Sequence, residues 1–119
     1  MDQYYRAAWD SLTAPGAPFA WSVVEVYGVP TRVYDTAPPN LIPIWQMSAG
    51  HGERDYLVYQ EERISYAEAH AQVAALSAYL AAEGVGHGDR VALAMRNYPE
   101  WVMAYWATAS LGAAVVGMN

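Results

Sequence analysis

The side chains able to do chemistry in this sequence are few and widely spaced. Histidines stand at 51, 70 and 87, and arginines at 6, 32, 54, 63, 90 and 96; there is no lysine and no cysteine. Histidines this far apart lack the spacing of a zinc site, so loop and helix-surface roles are expected for them. Without cysteine, disulfides, thiolate catalysis and cysteine zinc sites are all excluded. Glu61-Glu62 sets two carboxylates side by side, but adjacent strand or turn residues point apart, which favours a solvated turn over an acid–base pair. Asp89-Arg90 reads as the start of a strand. Ser65 has no histidine at motif spacing to activate it, and a helix cap accounts for it.

One glycine run invites a nucleotide-binding reading. Gly84-Val85-Gly86-His87-Gly88 has the composition of a phosphate-cradling loop, but such a loop must follow a strand and open a helix. Here the glycines follow a helical stretch and precede a strand-like one. The order is wrong, and a plain turn is expected.

Composition narrows the remaining choices. Twelve acidic and six basic residues leave a net charge of −6, and 55% of the 119 residues are hydrophobic. A packed core is therefore expected. Scattered arginines on an acidic chain provide no electrostatic footprint for nucleic acid or anionic lipid. Met1-Asp2-Gln3 begins no secretion signal, so a cytoplasmic setting is the default expectation. Trp101 to Met118 carries no charge and reaches the lower length limit of a membrane-spanning helix. Gly112 and the Val115-Val116 pair divide that run into a helix and a short strand, so buried core is expected and no membrane span.

The elements that must position these residues follow from periodicity and punctuation. Tyr4 to Leu12 reads as a short helix, stopped by Ala14-Pro15-Gly16-Ala17-Pro18. Its Tyr4, Tyr5 and Trp9 could anchor an interface, although packing within the domain is the simpler role. Ser22 to Tyr27 and Thr31 to Tyr34 flank Gly28-Val29-Pro30 and suggest a hairpin. A helix is expected from Leu41 to Ala49, with a loop at Gly50-His51-Gly52. Tyr56 to Gln60 reads as a strand that returns through Glu61-Glu62-Arg63 to Ile64-Ser65. Ser65 and Glu68 have capping-box spacing. The helix that follows carries Ala69, Val73, Leu76 and Leu80 on one face and ends at Gly84. Arg90 to Met95 is so continuously apolar that it suits a parallel strand covered on both faces. Asn97 is expected to cap a helix from Tyr98 to Leu111, with Pro99 in its first turn. That helix is apolar nearly all round, with Trp101, Ala104, Tyr105, Thr108 and Leu111 on one side and Val102, Trp106 and Ala109 on the other. Ala113 to Gly117 forms a second strand, completing a right-handed βαβ crossover. Its apolar edge lies two residues from the last residue given, and the expectation is of further chain to cover it.

Four segments in order resemble the adenylate-forming superfamily of acyl-CoA synthetases, aryl-CoA ligases, luciferases and peptide-synthetase adenylation domains. Ile64-Ser65-Tyr66-Ala67-Glu68 resembles the motif TYxEL, with Ala69 in place of leucine. Gly88-Asp89-Arg90-Val91-Ala92-Leu93 is similar to GDRVAI. Asn97-Tyr98-Pro99-Glu100-Trp101 resembles NxPEF. Ser110 to Asn119 resembles the GAVxVPLN strand, with Gly117 where proline is commoner. Each motif alone is weak; their order and spacing over 64–119 make the signal.

The resemblance implies an α/β fold: a small, mainly parallel sheet with βαβ crossovers at the front of a large domain. Residues 1–55 are expected to form a helix-and-hairpin region, and 56–119 the start of the AMP-binding large domain. It also implies an enzyme that joins a carboxylate to ATP as an acyl-adenylate and passes the acyl group to coenzyme A, acting on a fatty or aromatic acid. Two like charges about 4 Å apart repel by about 4 kcal/mol at an effective dielectric near 20, so Mg²⁺ and cationic side chains must offset the triphosphate. The family does this with a Ser/Thr/Gly-rich lysine loop, an acidic residue serving the metal, an aspartate on the ribose and a C-terminal lysine. None of these maps onto this sequence. No catalytic, cofactor-binding or metal residue is therefore assigned within 1–119, and ATP, Mg²⁺ and coenzyme A are implied only for the whole enzyme. Partners would be the remainder of the large domain and the C-terminal domain, with a homodimer also possible. Asn119 sits where a pocket could lie, at the end of a parallel strand. The alternative from another class is a stand-alone, non-catalytic module that self-associates.

Overall fold

The computed structural model describes residues 2–118 and divides the chain into two compact units, Met1–Asn40 and Leu41–Asn119. Asn119, placed near a possible pocket by the sequence, lies outside the described residues.

The first unit holds helix α1 (Asp2–Thr13) and the hairpin β1 (Trp21–Val26) and β2 (Val29–Tyr34). α1 ends in its own last turn, where the Thr13 hydroxyl donates to the Trp9 carbonyl at 2.8 Å, and no residue of α1 is buried. The hairpin is antiparallel with Trp21 opposite Tyr34 and Val26 opposite Val29. Tyr27 and Gly28 both have positive φ, 50° and 79°, which is the turn that matches strand twist in a two-residue hairpin. Ala20 is the buried hydrophobic residue of this unit.

The second unit runs α2 (Ile42–Ser48), a 3₁₀ turn (Ala49–His51), β3 (Asp55–Tyr59), β4 (Glu62–Ser65), α3 (Tyr66–Ala82), β5 (Arg90–Ala94), α4 (Pro99–Ser110) and β6 (Ala114–Met118). Its core is Trp45, Ile64, Ala69, Val73, Met103 and Ala107, flanked by Tyr56, Leu57, Leu76, Leu80 and Trp106. The stripe read from the sequence on α3 thus faces inward. Ala69 and Ala107 are fully buried, and small residues let helices approach closely. The Ser77 hydroxyl of α3 accordingly reaches the Ala107 carbonyl of α4 at 3.3 Å. Ser65 and Glu68 form the expected capping box, with Glu68 N–H donating to Ser65 Oγ at 3.2 Å and Ser65 N–H to Glu68 Oε2 at 2.8 Å.

β5 and β6 are parallel neighbours, with Arg90 opposite Ala114 and Ala94 opposite Met118, joined across α4. The turn before β5 is tied to the turn before β6: Gly88 N–H donates to Gly112 O at 3.0 Å, and Ala114 N–H to Asp89 O at 2.8 Å. The fold is mixed α/β with small sheets, but the mainly parallel sheet is realised only in this pair. β1–β2 and β3–β4 are antiparallel two-stranded sheets, because tight two-residue turns join their strands, and only β5–β6 has a helix-length crossover.

Other expectations are corrected. β5 is covered on one face: Leu93 is buried and Val91 half-buried, while Arg90, Ala92 and Ala94 are exposed. Asn97 does not cap α4. Proline forces the residue before it into an extended conformation, so Tyr98 (φ −91°, ψ 169°) takes the cap position and Pro99 opens the helix, with no side-chain cap bond. The buried face of α4 is Met103, Ala104, Ala107 and Thr108; Trp101, Tyr105 and Leu111 are only partly covered. The β3–β4 turn is Gln60-Glu61, with Gln60 at φ 52°; Glu62 and Arg63 belong to β4. Residues 49–51 wind into a 3₁₀ turn where a loop was expected, and Gly52 (φ 57°) ends it. Among the described residues no helix is long and apolar enough to cross a membrane.

Candidate functional site

The cavity with the clearest chemical character lies against α2. It measures about 520 Å³ and is lined by Ile44, Trp45, Met47, Ser48, His51, Tyr56, Tyr66 and Trp106. Five elements supply these residues: α2, the 3₁₀ turn, β3, α3 and α4. α2 is only seven residues long, too short to persist without tertiary contacts, so it is fixed by burying Trp45, which is 5% exposed. The Trp45 ring stacks on Trp106 of α4 at 5.0 Å and on His70 of α3 at 3.8 Å, and lies 5.7 Å from Tyr56 of β3. The Trp106 indole N–H donates to the Tyr56 hydroxyl at 2.9 Å, and Tyr66 packs on Tyr56 at 4.6 Å and on His51 at 4.7 Å.

Ser48 and His70 meet here, with Oγ and Nε2 3.0 Å apart. A serine beside a histidine invites a nucleophile reading, and the hydrogen-bond directions decide against it. Ser48 Oγ lies 2.6 Å from the Trp45 carbonyl, which can only accept, so the hydroxyl proton points there. Nε2 must then carry a proton and donate to Ser48, which leaves it no lone pair to take the serine proton. Burial pushes the His70 pKa below its ordinary value and keeps the ring neutral. The pair locks α2 to α3.

The sequence missed this pair because Ser48 and His70 are 22 positions apart on two helices whose packing no local pattern encodes. It assigned His70 to a helix surface; the ring is instead half-buried against Trp45. His51 pairs with Tyr66, and His87 sits against Gly112, so the three histidines are not brought together. Among the described residues no group of three His, Cys, Asp or Glu side chains could hold a metal ion.

The remaining candidates fall to structural roles. Gly84 (φ 92°) and Gly88 (φ 87°) take conformations that favour glycine in the turn between α3 and β5, with no helix N-terminus following. Asp89 accepts from the Gly86 N–H at 2.8 Å and so closes that turn. Glu61 and Glu62 are exposed. Arg63 reaches Asp55 at 3.8 Å, and Arg32 lies 4.5 Å over the Trp21 ring.

Comparison with known proteins agrees with the motif order. The family model described as AMP-binding enzyme matches residues 44–119. A medium/long-chain-fatty-acid–CoA ligase of Mycobacterium tuberculosis is 39% identical over 71 residues, which is 60% of this chain and 12% of that protein. A 3-hydroxybenzoate/4-hydroxybenzoate–CoA ligase of Thauera aromatica is 38% identical over 73 residues, 61% of this chain and 14% of that one. The NpsA N-terminal subdomain of Klebsiella oxytoca, solved with anthranilyl-AMSN, superposes with a TM-score of 0.62 at 28% identity, covering 65% of this chain and 21% of that one. The o-succinylbenzoate CoA synthetase of Bacillus subtilis, solved with its acyl-adenylate intermediate, does so at 0.60 with 32% identity, covering 63% and 20%. The matched stretch thus spans about an eighth of the curated ligases it resembles. With its family model covering most of the second unit, the chain belongs to the AMP-binding family of adenylate-forming enzymes and corresponds to an N-terminal segment of it.

Proposed function

We propose that the chain is the N-terminal segment of an ATP-dependent acyl-CoA ligase that forms an acyl-adenylate and then a coenzyme A thioester. Residues 56–119 begin its large domain, with 1–55 as a helix-and-hairpin region ahead of it. The observation that carries this reading is the match of 44–119 to the family together with its small share of each ligase. The proposed substrate class, a fatty or aromatic acid, is taken from the fatty-acid and hydroxybenzoate ligases, which match over longer stretches than the acetoacetyl- and acetyl-coenzyme A synthetases that match at 43% and 48% identity. The setting is cytoplasmic.

By itself the segment is inactive. Bringing a carboxylate against a triphosphate needs concentrated positive charge, and a chain without lysine offers only dispersed guanidinium groups. Its contribution is scaffolding: the α3–α4 core holds the parallel β5–β6 pair, against which the rest of the large domain and the C-terminal domain assemble. ATP, Mg²⁺ and coenzyme A are bound by those later parts.

Two measurements test this. Acid-dependent exchange of pyrophosphate into ATP by the purified chain is expected to be absent, and exchange above the protein-free rate overturns the assignment of inactivity. The reading frame downstream of Asn119 is expected to continue into a Ser/Thr/Gly-rich loop containing lysine. A natural stop codon there would favour a non-catalytic, self-associating module, a reading supported by the exposed Tyr4, Tyr5, Val23 and Tyr27 of the first unit.

A further inference from the structure

The first unit lies outside the family match, and its hairpin poses a problem of its own. A two-stranded sheet is marginal in water, and units of about 40 residues lacking disulfides or metal usually need oligomerisation. This one has no cysteine, and five of the six residues of β1 are exposed.

The ladder shows which edge is available. Pro30 has no N–H, so the Glu25–Pro30 pair is one where the strands exchange no bonds. Alternation makes Val23–Arg32 and Trp21–Tyr34 pairs of the same kind, and the bond from Asp35 N–H to Ala20 O at 2.9 Å, one position on, has the complementary phase. The N–H and C=O groups of Trp21, Val23 and Glu25 therefore point away from β2, forming a complete outward row. On β2 the outward row is Pro30, Arg32 and Tyr34, and Pro30 breaks it. β1 alone offers an unguarded edge, and its sequence Trp-Ser-Val-Val-Glu-Val carries one charge and no proline.

We propose that β1 pairs antiparallel with β1 of a second copy about a two-fold axis at Val23, making a four-stranded sheet. A two-fold axis perpendicular to the sheet keeps each face on its own side, so it must pass through a residue position. Centring it on Val23 pairs Trp21 with Glu25 of the second copy, Val23 with Val23 and Glu25 with Trp21, and it uses every outward group of the row. Charge agrees with this register. Glu25 does not meet its own symmetry mate; it arrives beside Trp21, whose ring carries the Arg32 guanidinium at 4.5 Å. Arg32 has no ion pair among the described residues. This inference does not rest on the ligase reading.

The test uses the full chain. Sedimentation over the micromolar range is expected to show a reversible species of twice 13.1 kDa. Val23→Pro removes an outward N–H that the hairpin does not use, and is expected to leave a monomer with unchanged far-ultraviolet dichroism. With no native cysteine to compete, Val23→Cys is expected to form a disulfide-linked dimer on oxidation, whereas Val24→Cys, which faces Ser22 of the second copy, is not. Glu25→Arg is expected to weaken association several-fold, and adding Arg32→Glu to restore it. A monomer at every concentration overturns the proposal, as does a dimer that survives Val23→Pro or cross-links equally through Val24→Cys.

Discussion

The rings of Trp45 and His70 lie 3.8 Å apart with their planes inclined by 11°. One contact between a seven-residue helix and a seventeen-residue one thereby holds Trp45 in the wall of the aromatic cavity beside α2. Because His70 also donates to Ser48, the stack and the hydrogen bond hold α2 at two adjacent points.

Stability is expected to depend on the protonation of His70. Its folded pKa is depressed below 6.5 by burial, so the unfolded chain binds the proton first. The stabilisation is fully present above the unfolded value and is lost as pH falls below it toward the folded value. Urea midpoints taken at about pH 7.5 and 5.5 should differ less in His70→Phe than in the unmodified chain, because phenylalanine keeps a ring on Trp45 without the titration. Equal pH slopes in the two proteins would remove His70 from this role.

Ser65→Ala removes the hydroxyl that accepts from the Glu68 N–H and the oxygen that orients the Glu68 carboxylate. The expected loss is about 1 kcal/mol in chemical denaturation. Glu68 is held below its ordinary carboxylate pKa by the Ser65 backbone N–H and then by the Ser65 side chain. That contribution is present above the unfolded carboxylate pKa and fades as pH drops through the folded one. A Ser65→Thr variant, which keeps the hydroxyl as both acceptor from the Glu68 N–H and donor to its carboxylate, should recover most of the loss.

Gly112 stands at φ 73°, and a Cβ built there meets His87 Nδ1 at 2.6 Å. Gly112→Ala should cost about 1–2 kcal/mol from the left-handed backbone alone. The histidine clash adds to it and is relieved by a second change, His87→Ala. Gly50, with neither positive φ nor a close neighbour, should tolerate alanine within about 0.5 kcal/mol. Equal thermal midpoints for the two glycine variants would contradict this account.

Thr108 is fully buried, and its hydroxyl has no hydrogen-bond partner among the described residues. Thr108→Val replaces that unpaired oxygen with a methyl group of nearly the same size. The variant should be more stable by about 1 kcal/mol, read as a raised urea midpoint at unchanged slope. A lowered midpoint would mean that the hydroxyl is satisfied in solution.

Local chemistry alone determined much of this molecule. The Ser65–Glu68 box, the helix stop at Gly84, the inward stripe Ala69, Val73, Leu76 and Leu80, and a hairpin within 22–34 all depend on residues within a few positions of each other, although the hairpin turns at Tyr27-Gly28 and not at the expected Gly28-Val29-Pro30. The motif order over 64–119 and the missing lysine were likewise properties of the string, and the motif order carried the family. Asn97 shows the limit of such reading even locally, because the proline two residues on overruled the better capping side chain. What only the tertiary structure decided is where distant residues meet: Ser48 with His70, Trp45 between three elements, and Gly112 against His87. Those contacts are set by how helices of different sequence pack, and periodicity reports which face of a helix is apolar without naming the residue that will cover it.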